Sequence, residues 1–178
     1  MERLFEIDLQ DYNEGDSVFS RPSARGIIFD KNGNIALVYS QNEKYYKFPG
    51  GGIHEDEDKK VALVREVREE TGLVVIPETI KEFGSVLRRQ KSTVSANTIF
   101  QQENFYYTCE VEDEVTDQDL DDYEAEAGFE LQFVSLEEAI HVNKNYKTDD
   151  YFNEIMIKRD TKLLEMIKEN ICKYGKDC

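Results

Sequence analysis

The sequence lacks the features typical of secreted and membrane proteins, which are paired cysteines, a signal segment and long apolar runs. It has no tryptophan, three prolines and three cysteines among 178 residues, and no apolar run of membrane-spanning length. The cysteines, at 109, 172 and 178, are odd in number and lack the spacing of zinc ligands, so we expect free thiols. The N-terminal segment MERLFEIDLQ does not resemble a secretory signal. These absences predict a cytoplasmic protein without a membrane partner.

Positive charge is also scarce. Lysine and arginine together number 22 against 38 aspartates and glutamates, which gives a formal net charge of −16. A field of that sign repels polyanions and attracts metal cations. We therefore expect no binding to DNA and consider RNA an unfavourable partner.

What is present first is a pattern of short strands in a chain long enough for one ordinary domain. Residues 24–40 contain two β-branched segments around Asn32-Gly33, a pair that favours a tight hairpin turn. Strand-like stretches follow at 73–76, 83–88, 97–101 and 104–111, which we expect to extend the same sheet, and at 129–134.

Three helices are predicted from apolar spacing and end signals. The first runs from Glu57 to Thr71 and is followed by Gly72, a residue suited to a left-handed cap. The second begins at the capping box of Ser135 and continues through His141. The third is a long amphipathic C-terminal helix with an apolar face formed by Phe152, Ile155, Met156, Leu163, Met166, Ile167 and Ile171.

The segment from 110 to 130 is strongly acidic. Eleven of its twenty-one residues are aspartate or glutamate. Because such a composition cannot bury enough apolar surface to order itself, we predict a mobile loop that closes when metal and substrate bind.

Three carboxylates share one face of the first helix. Glu66, Glu69 and Glu70 are spaced i, i+3 and i+4, and no lysine occurs between positions 61 and 80 to pair with them. They lie close in sequence to the glycine run 50–52, whose backbone can approach a ligand closely. Carboxylates in this arrangement suit Mg²⁺ or Mn²⁺, but a solvated acidic helix face has the same pattern.

The spacing of these residues resembles the Nudix family of hydrolases. Gly51, Glu57 and the run Arg65-Glu66-Val67-Arg68-Glu69-Glu70-Thr71-Gly72-Leu73 reproduce the whole G-x5-E-x7-R-E-U-x-E-E-x-G-U box over residues 51–73. The wider resemblance extends over about residues 21–143.

The resemblance implies an α/β/α sandwich around a mixed β-sheet, with an added C-terminal amphipathic helix. The expected Nudix hydrolase domain covers residues 1–148, and residues 149–178 form a helix packed on the same domain or on a partner. It also implies metal-dependent hydrolysis of nucleoside diphosphates linked to another group, with Mg²⁺ as cofactor and Mn²⁺ as a possible substitute. The family's motif maps onto metal ligands at Glu66, Glu69, Glu70 and the Gly50 carbonyl, and onto an orienting pair formed by Arg65 and Glu57.

A general base is expected late in the fold. Glu124, Glu126 and Glu130 are nearest to where the family would place one, although each could equally be solvated loop charge. The phosphates of a nucleotide substrate need cationic partners, and its nucleobase can stack on an aromatic side chain. The candidates are Arg88, Arg89, Lys47 and Tyr46, for which surface ion pairing or core packing is the alternative role.

Three functions remain open at this point. The first is a pyrophosphohydrolase acting on a small nucleotide, such as a nucleoside triphosphate or a nucleotide sugar. The second is a non-catalytic nucleotide-sensing domain, and the third is an RNA-end pyrophosphohydrolase, which the net charge of −16 disfavours. A homodimer is possible in each case.

Overall fold

The computed structural model describes residues 1–173 and has a mixed α/β fold. Its strands are β1 (Arg3–Asp8), β2 (Ser17–Ser20), β3 (Ser23–Ile27), β4 (Ile35–Ser40), β5 (Tyr46–Lys47), β6 (Gly50–Gly52), β7 (Leu73–Val75), β8 (Lys81–Lys91), β9 (Thr98–Thr108), β10 (Val111–Val115) and β11 (Phe129–Val134). Its helices are α1 (Lys59–Thr71), α2 (Asp122–Ala127), α3 (Leu136–Asn145) and α4 (Tyr151–Lys173), with a 3₁₀ turn at Pro77–Thr79.

The predicted fold class is confirmed: residues 1–173 contain a mixed sheet together with four α-helices, of which α4 is the predicted C-terminal helix. Residues 174–178, which include Cys178 and the end of the predicted segment 149–178, lie outside the described residues. So do the side chains of Ile171 and Cys172. No helix in the described part of the chain is both long enough and apolar enough to span a membrane.

The chain forms two compact units, and the first comprises residues 1–28 and 49–119. Its main sheet has the order β1-β8-β9-β3-β6, with β2 pairing to β9. Antiparallel β8–β9 pairing beside parallel β3–β9 and β1–β8 pairing makes this sheet mixed. Helix α1 packs on β3, β6 and β7 through Ala62, Leu63 and Val67, which are buried.

Two strand predictions in this unit need correction. The stretches 97–101 and 104–111 were predicted as separate strands, but one continuous strand, β9, covers Thr98–Thr108. The strand at 73–76 does not extend the main sheet, because β7 pairs with β10 in a separate two-stranded sheet. Strands β1 and β2, which no motif predicted, lie parallel to β8 and β9.

The second unit contains residues 29–48 and the described chain from residue 120 onward. Its antiparallel sheet has the order β11-β4-β5. The buried core includes Val38, Tyr45, Phe129, Met156 and Ile157, and α4 packs on α3 and β5. Helix α3 continues to Asn145, four residues beyond its predicted end.

The Asn32-Gly33 turn forms and is closed by an antiparallel bridge between Phe29 and Ile35, but the predicted hairpin pairing does not extend into β3. Gly33 has a φ of +83°, and the Asp30 amide donates a hydrogen bond of 2.9 Å to the Asn34 carbonyl. The two flanking strands nevertheless belong to different sheets, since β3 pairs with β6 and β9 while β4 pairs with β5 and β11. The turn was predictable from adjacent residues, whereas the strands that pair with β3 and β4 come from segments distant in sequence.

The acidic segment 110–130 has more secondary structure than its composition predicts, so the expectation that it forms a loop throughout is wrong, while its closure on metal and substrate stays a prediction. It contains β10, helix α2 and the start of β11. The Asp121 side chain accepts a hydrogen bond from the Glu124 amide, and the Glu124 side chain accepts one from the Asp121 amide, which completes a capping box. Carboxylates at a helix N-terminus stabilise the helix through its exposed amides and dipole, so some of these charges favour order.

Candidate functional site

Helix α1 is fixed at both ends by residues with specific backbone roles. Asp58 caps the N-terminus, where its side chain accepts hydrogen bonds from the amides of Lys60 at 2.8 Å and Val61 at 3.3 Å. Gly72 adopts the left-handed conformation at the C-terminus, and its amide donates to the Arg68 carbonyl at 2.8 Å. The Gly72 cap was predicted from the sequence, whereas the helix begins at Lys59 after the Asp58 cap and not at the predicted Glu57. Together the two caps set where the helix glutamates project.

Arg65 connects this helix to the glycine loop. Its Nε and Nη2 atoms donate to the two carboxylate oxygens of Glu57, each at 2.8 Å, and Nη2 also donates to the Gly52 carbonyl at 3.0 Å. Its Nη1 atom donates to Glu66 at 2.7 Å and to Glu69 at 3.1 Å. One planar guanidinium therefore holds three carboxylates and one loop carbonyl in a fixed arrangement.

The electrostatics of this group follow from Arg65. Its hydrogen bonds lower the pKa of Glu57 from 4.5 to about 2, with a further contribution from the His54 amide. The same contacts raise the pKa of Arg65 above its ordinary value. The pKa of Glu66 is raised, first because burial disfavours its charge and then because Glu70 and Glu69 lie nearby. A cation at this place would relieve that unfavourable charge.

Glu66 lies against Gly51. A Cβ atom placed on Gly51 would come within 2.1 Å of Glu66 Oε2, so a larger residue there would displace the carboxylate. The close approach explains why the first position of the box is a glycine: any side chain there would clash with the Glu66 carboxylate.

Glu70 is buried, with 1% of its surface exposed, and accepts a hydrogen bond of 2.8 Å from the Gly50 amide. Gly50 has a φ of +129°, and a Cβ atom there would lie 2.2 Å from the Ala24 carbonyl oxygen. The carbonyl of Gly50 accepts a hydrogen bond of 2.9 Å from Arg25 Nη1. Both polar groups of Gly50 are thus held, one by the helix and the other by strand β3.

Arg25 and Asn104 are parts of this arrangement that the sequence analysis missed. Arg25 is buried in β3, and its Nε atom donates to Asn104 Oδ1 at 3.3 Å. Asn104, which is also buried, accepts a second hydrogen bond of 2.8 Å from Ser23. An arginine beside the apolar run 26–29 was the available signal, because a charged residue is seldom buried without a partner.

The donor set suits a hard divalent cation. Glu66, Glu69 and Glu70 supply carboxylate oxygens and Gly50 a carbonyl oxygen, the ligand types that Mg²⁺ and Mn²⁺ prefer. As they stand, two of these glutamates bind Arg65 and the third binds the Gly50 amide. Within residues 1–173, no group of three acidic, histidine or cysteine side chains already surrounds a single point. The residue types fit the ion, and Arg65 occupies two of the carboxylates.

The predicted phosphate-binding arginines are engaged in other contacts. Arg88 is fully buried, its Nε atom donates to Gln90 at 2.6 Å, and its guanidinium lies 5.6 Å from the Phe100 ring centre. Arg89 forms an ion pair with Asp8 at 3.6 Å and lies 5.3 Å from the ring centre of Tyr12. A role for either in phosphate binding stays a prediction.

Lys47 and Tyr46 are buried in the second unit. Lys47 Nζ lies 4.2 Å from the centre of the Phe129 ring, and the Tyr46 hydroxyl donates to Gln132 at 2.7 Å. Burial raises the pKa of Tyr46. Their proposed contacts with substrate are also untested.

The three candidate bases have different local settings. Glu124 belongs to the capping box of α2, and Glu126 is an exposed residue of the same helix. Glu130 lies on β11 and accepts hydrogen bonds from the side-chain amides of Gln41 and Gln132. Of the three carboxylates, only that of Glu126 forms no hydrogen bond with another residue in the described part of the chain.

Comparison with known proteins relates the chain to one family. A model of the NUDIX domain matches residues 19–154. A NUDIX hydrolase structure from Nitrosomonas europaea shares the fold with a TM-score of 0.52 at 19% identity, covering 79% of this chain and 89% of that one.

Two curated relatives match shorter segments. An RNA pyrophosphohydrolase of Acinetobacter baylyi is 38% identical over 66 residues, which is 37% of this chain and 39% of the relative. An 8-oxo-dGTP diphosphatase of Proteus vulgaris is 34% identical over 61 residues, or 32% of this chain and 54% of the relative. The matches thus span about half or less of either relative's length.

Proposed function

The chain belongs to the NUDIX domain family, and on that premise we propose that it hydrolyses a phosphoanhydride bond in a nucleoside diphosphate linked to another group. The observation that carries this proposal is the set of three α1 carboxylates assembled by Arg65 and Gly50. The names of the two curated relatives both denote cleavage of a phosphate chain and support it. The substrate would be a small nucleotide, such as a nucleoside triphosphate or a nucleotide sugar.

We propose that Glu66, Glu69, Glu70 and the Gly50 carbonyl hold Mg²⁺, or Mn²⁺ in its place. When bound, the ion would neutralise phosphate oxygens and make a water molecule more acidic. Arg65 orients two of the carboxylates, and Glu57 fixes Arg65 by a two-point contact. Such outer contacts determine how well the ligands are placed for the ion.

One of Glu124, Glu126 and Glu130 would accept the proton of the attacking water. Replacing each in turn by glutamine keeps the side-chain shape but removes the basic carboxylate. We expect one variant to lose most of kcat and the other two to remain near wild type. Three mild variants would show that the base lies elsewhere.

The residues proposed to contact the substrate phosphates are Arg88, Arg89 and Lys47. Tyr46 is proposed to stack on the nucleobase of the substrate. Arg89 is the best supported of the arginines, because 29% of its side chain is exposed whereas Arg88 has none exposed. A phosphate could replace the Asp8 carboxylate as the partner of Arg89, since both present oxygens to a guanidinium. Substrate binding would then require Arg89 to release Asp8 and to bind a substrate phosphate in its place.

A nucleotide-sensing domain and an RNA-end hydrolase are the two alternative functions, and the substrate panel described below tests both. A nucleotide-sensing domain would bind nucleotides without turnover, but all three helix glutamates of the box are present. RNA-end hydrolysis is favoured by the name of the Acinetobacter baylyi relative and opposed by the net charge of −16. We also propose a cytoplasmic location, no binding to DNA or membranes, and possible homodimerisation.

The test is a substrate panel with purified protein. Nucleoside triphosphates, nucleotide sugars, dinucleotides and capped RNA are incubated with Mg²⁺ or Mn²⁺, and the products are separated by chromatography. We expect cleavage of at least one small nucleotide, loss of turnover with EDTA, and recovery with excess Mg²⁺. Full activity in chelator would contradict the metal assignment, and binding without cleavage would favour the sensing domain.

A further inference from the structure

A cavity of about 530 Å³ lies on the outer side of α1, within the first unit. Its apolar lining comes from Val61 and Val64 of the helix and from Pro77 and Ile80 of the following turn. Cavities of this size accommodate small organic ligands. We name it the α1 pocket.

The segment after β10 also lines the α1 pocket, through Asp117 and Asp119, and hydrogen bonds tie it to the end of the helix. The Thr116 amide donates to the Gly72 carbonyl at 2.8 Å, and the Asp119 amide donates to the Glu69 carbonyl at 2.9 Å. The side-chain amide of Gln118 also donates to the Glu70 carbonyl. The pocket is therefore bounded by hydrogen-bonded chain on this side.

The charged residues of the α1 pocket balance one another. The three cations are Lys60, Arg65 and Arg68, and the three anions are Glu69, Asp117 and Asp119. Their charges sum to zero, although the whole chain has a net charge of −16. In the part of the chain that is described, Lys60, Arg68, Asp117 and Asp119 form no ion pair with one another or with other residues. Lys60 and Arg68 are eight residues apart on α1, which separates them by roughly 12 Å along its axis.

This balance favours an uncharged ligand with hydrogen-bonding groups of both kinds. Carboxylates accept from N–H or O–H groups, while lysine and guanidinium donate to carbonyl oxygens or ring nitrogens. A terminal phosphate would meet no net positive charge here, because the three carboxylates offset the three cations, and it would lose part of its hydration on entering. The apolar lining suits the faces of a ring.

The α1 pocket adjoins the proposed metal site. Arg65 and Glu69 line it, and the same two residues are joined by the 3.1 Å contact described above. A ligand in the pocket would thus contact groups that also organise the carboxylates. One substrate could occupy both places.

We propose that the α1 pocket holds the group linked to the nucleoside diphosphate, and that this group is an uncharged, partly apolar ring such as a second nucleoside. The proposal rests on the proposed function and narrows its substrate class. It follows that the protein prefers a dinucleotide to a nucleoside triphosphate, in which the linked group is a phosphate.

The test compares diadenosine diphosphate with ATP in the wild-type protein and in two variants. Val61→Trp fills the α1 pocket, whereas Val94→Trp is the matched control, because Val61 is 58% and Val94 is 92% exposed. The chain has no other tryptophan, so the emission of the new indole reports whether it is shielded from water. We expect a blue-shifted emission only for Val61→Trp.

The wild-type kcat/KM should be at least tenfold higher for the dinucleotide than for ATP. Val61→Trp should lower that ratio at least tenfold through a higher KM for the dinucleotide, and Val94→Trp should leave the ratio unchanged. A wild type that prefers ATP, or a shielded Val61→Trp indole with an unaltered ratio, would overturn the inference while leaving the proposed function intact. If no phosphoanhydride is cleaved, the proposed function itself fails.

Discussion

Arg65 makes Glu57 a residue whose effect on stability should depend on pH. The contact lowers the pKa of Glu57 from 4.5 to about 2. A lowered pKa in the folded state stabilises the protein above the unfolded value, and this stabilisation is lost as the pH falls through the folded value. The relevant window therefore extends from about pH 4.5 down to about pH 2.

We predict that Glu57→Gln lowers the free energy of unfolding at pH 7 by roughly 1.5–3 kcal/mol, the range for a hydrogen bond to a charged group. The difference from wild type should shrink as the pH falls through that window, as measured by urea unfolding. Glu55→Gln, at an exposed position two residues earlier, is the control and should change little. A difference independent of pH would contradict the role of the ion pair.

Glu69 and Glu70 should separate catalysis from stability. The Glu69 side chain is 37% exposed, whereas Glu70 is buried against the Gly50 amide. Glu69→Gln should lower kcat at least a hundredfold with an unchanged melting temperature, since an amide loses the charge that holds a cation. Glu70→Gln should lower kcat similarly and also lower the melting temperature. Near-normal kcat in both, at saturating Mg²⁺, would refute their role.

At the scale of elements, the junction between α1 and β7 depends on Gly72. Its φ is +74°, and a Cβ atom there would lie 2.0 Å from the Thr116 carbonyl oxygen. The left-handed conformation alone costs a residue with a Cβ roughly 1–2 kcal/mol. The contact with backbone adds to this, because the Thr116 segment cannot yield as a flexible side chain would.

We predict that Gly72→Ala destabilises the protein by about 2 kcal/mol or more, measured by urea unfolding. Hydrogen exchange should also accelerate at β10, which pairs with β7 directly after the glycine. Gly15→Ala is the control, because nothing lies within 4 Å of a Cβ there and the stability should change by less than about 1 kcal/mol. Equal effects of the two substitutions would exclude the steric argument.

Local signals in the sequence predicted most single elements correctly. The Gly72 end of α1 and the Ser135 cap of α3 depend on side chains and backbone close in sequence, whereas α1 begins at Lys59, two residues after the predicted Glu57. Sheet membership was less predictable, because the partners of β3 and β7 lie 25 to 81 residues away. The acidic segment was misjudged because composition counts charges without their positions, and Asp121 and Glu124 occupy capping positions.

The candidate site was predictable where one helix carries it. The helical spacing places Glu66, Glu69 and Arg65 together, and the structure joins them by hydrogen bonds. Arg25 was not predictable as a partner of Gly50, because β3–β6 pairing brings them together across 25 residues. A sequence motif thus describes the carboxylates better than the scaffold that holds the loop.

At the scale of the whole molecule, net charge should select among phosphate-bearing substrates. A charge of −16 repels every nucleotide, but the repulsion increases with the number of phosphates that must approach the surface. At 0.1 M salt the Debye length is about 10 Å, so a small nucleotide inside a site is affected mainly by nearby residues. An RNA chain extends further and meets more of the acidic surface.

We therefore predict that a 5′-triphosphorylated RNA of about twelve nucleotides has a kcat/KM at least tenfold below that of the preferred small nucleotide at low salt. Raising NaCl from 50 to 200 mM should increase the RNA value, because salt screens repulsion, and should change the small-nucleotide value less. Proteins that bind RNA through cationic contacts lose affinity as salt rises, since those contacts release counterions. Efficient RNA cleavage that declines with salt would therefore favour RNA-end hydrolysis over the small-nucleotide substrate proposed here.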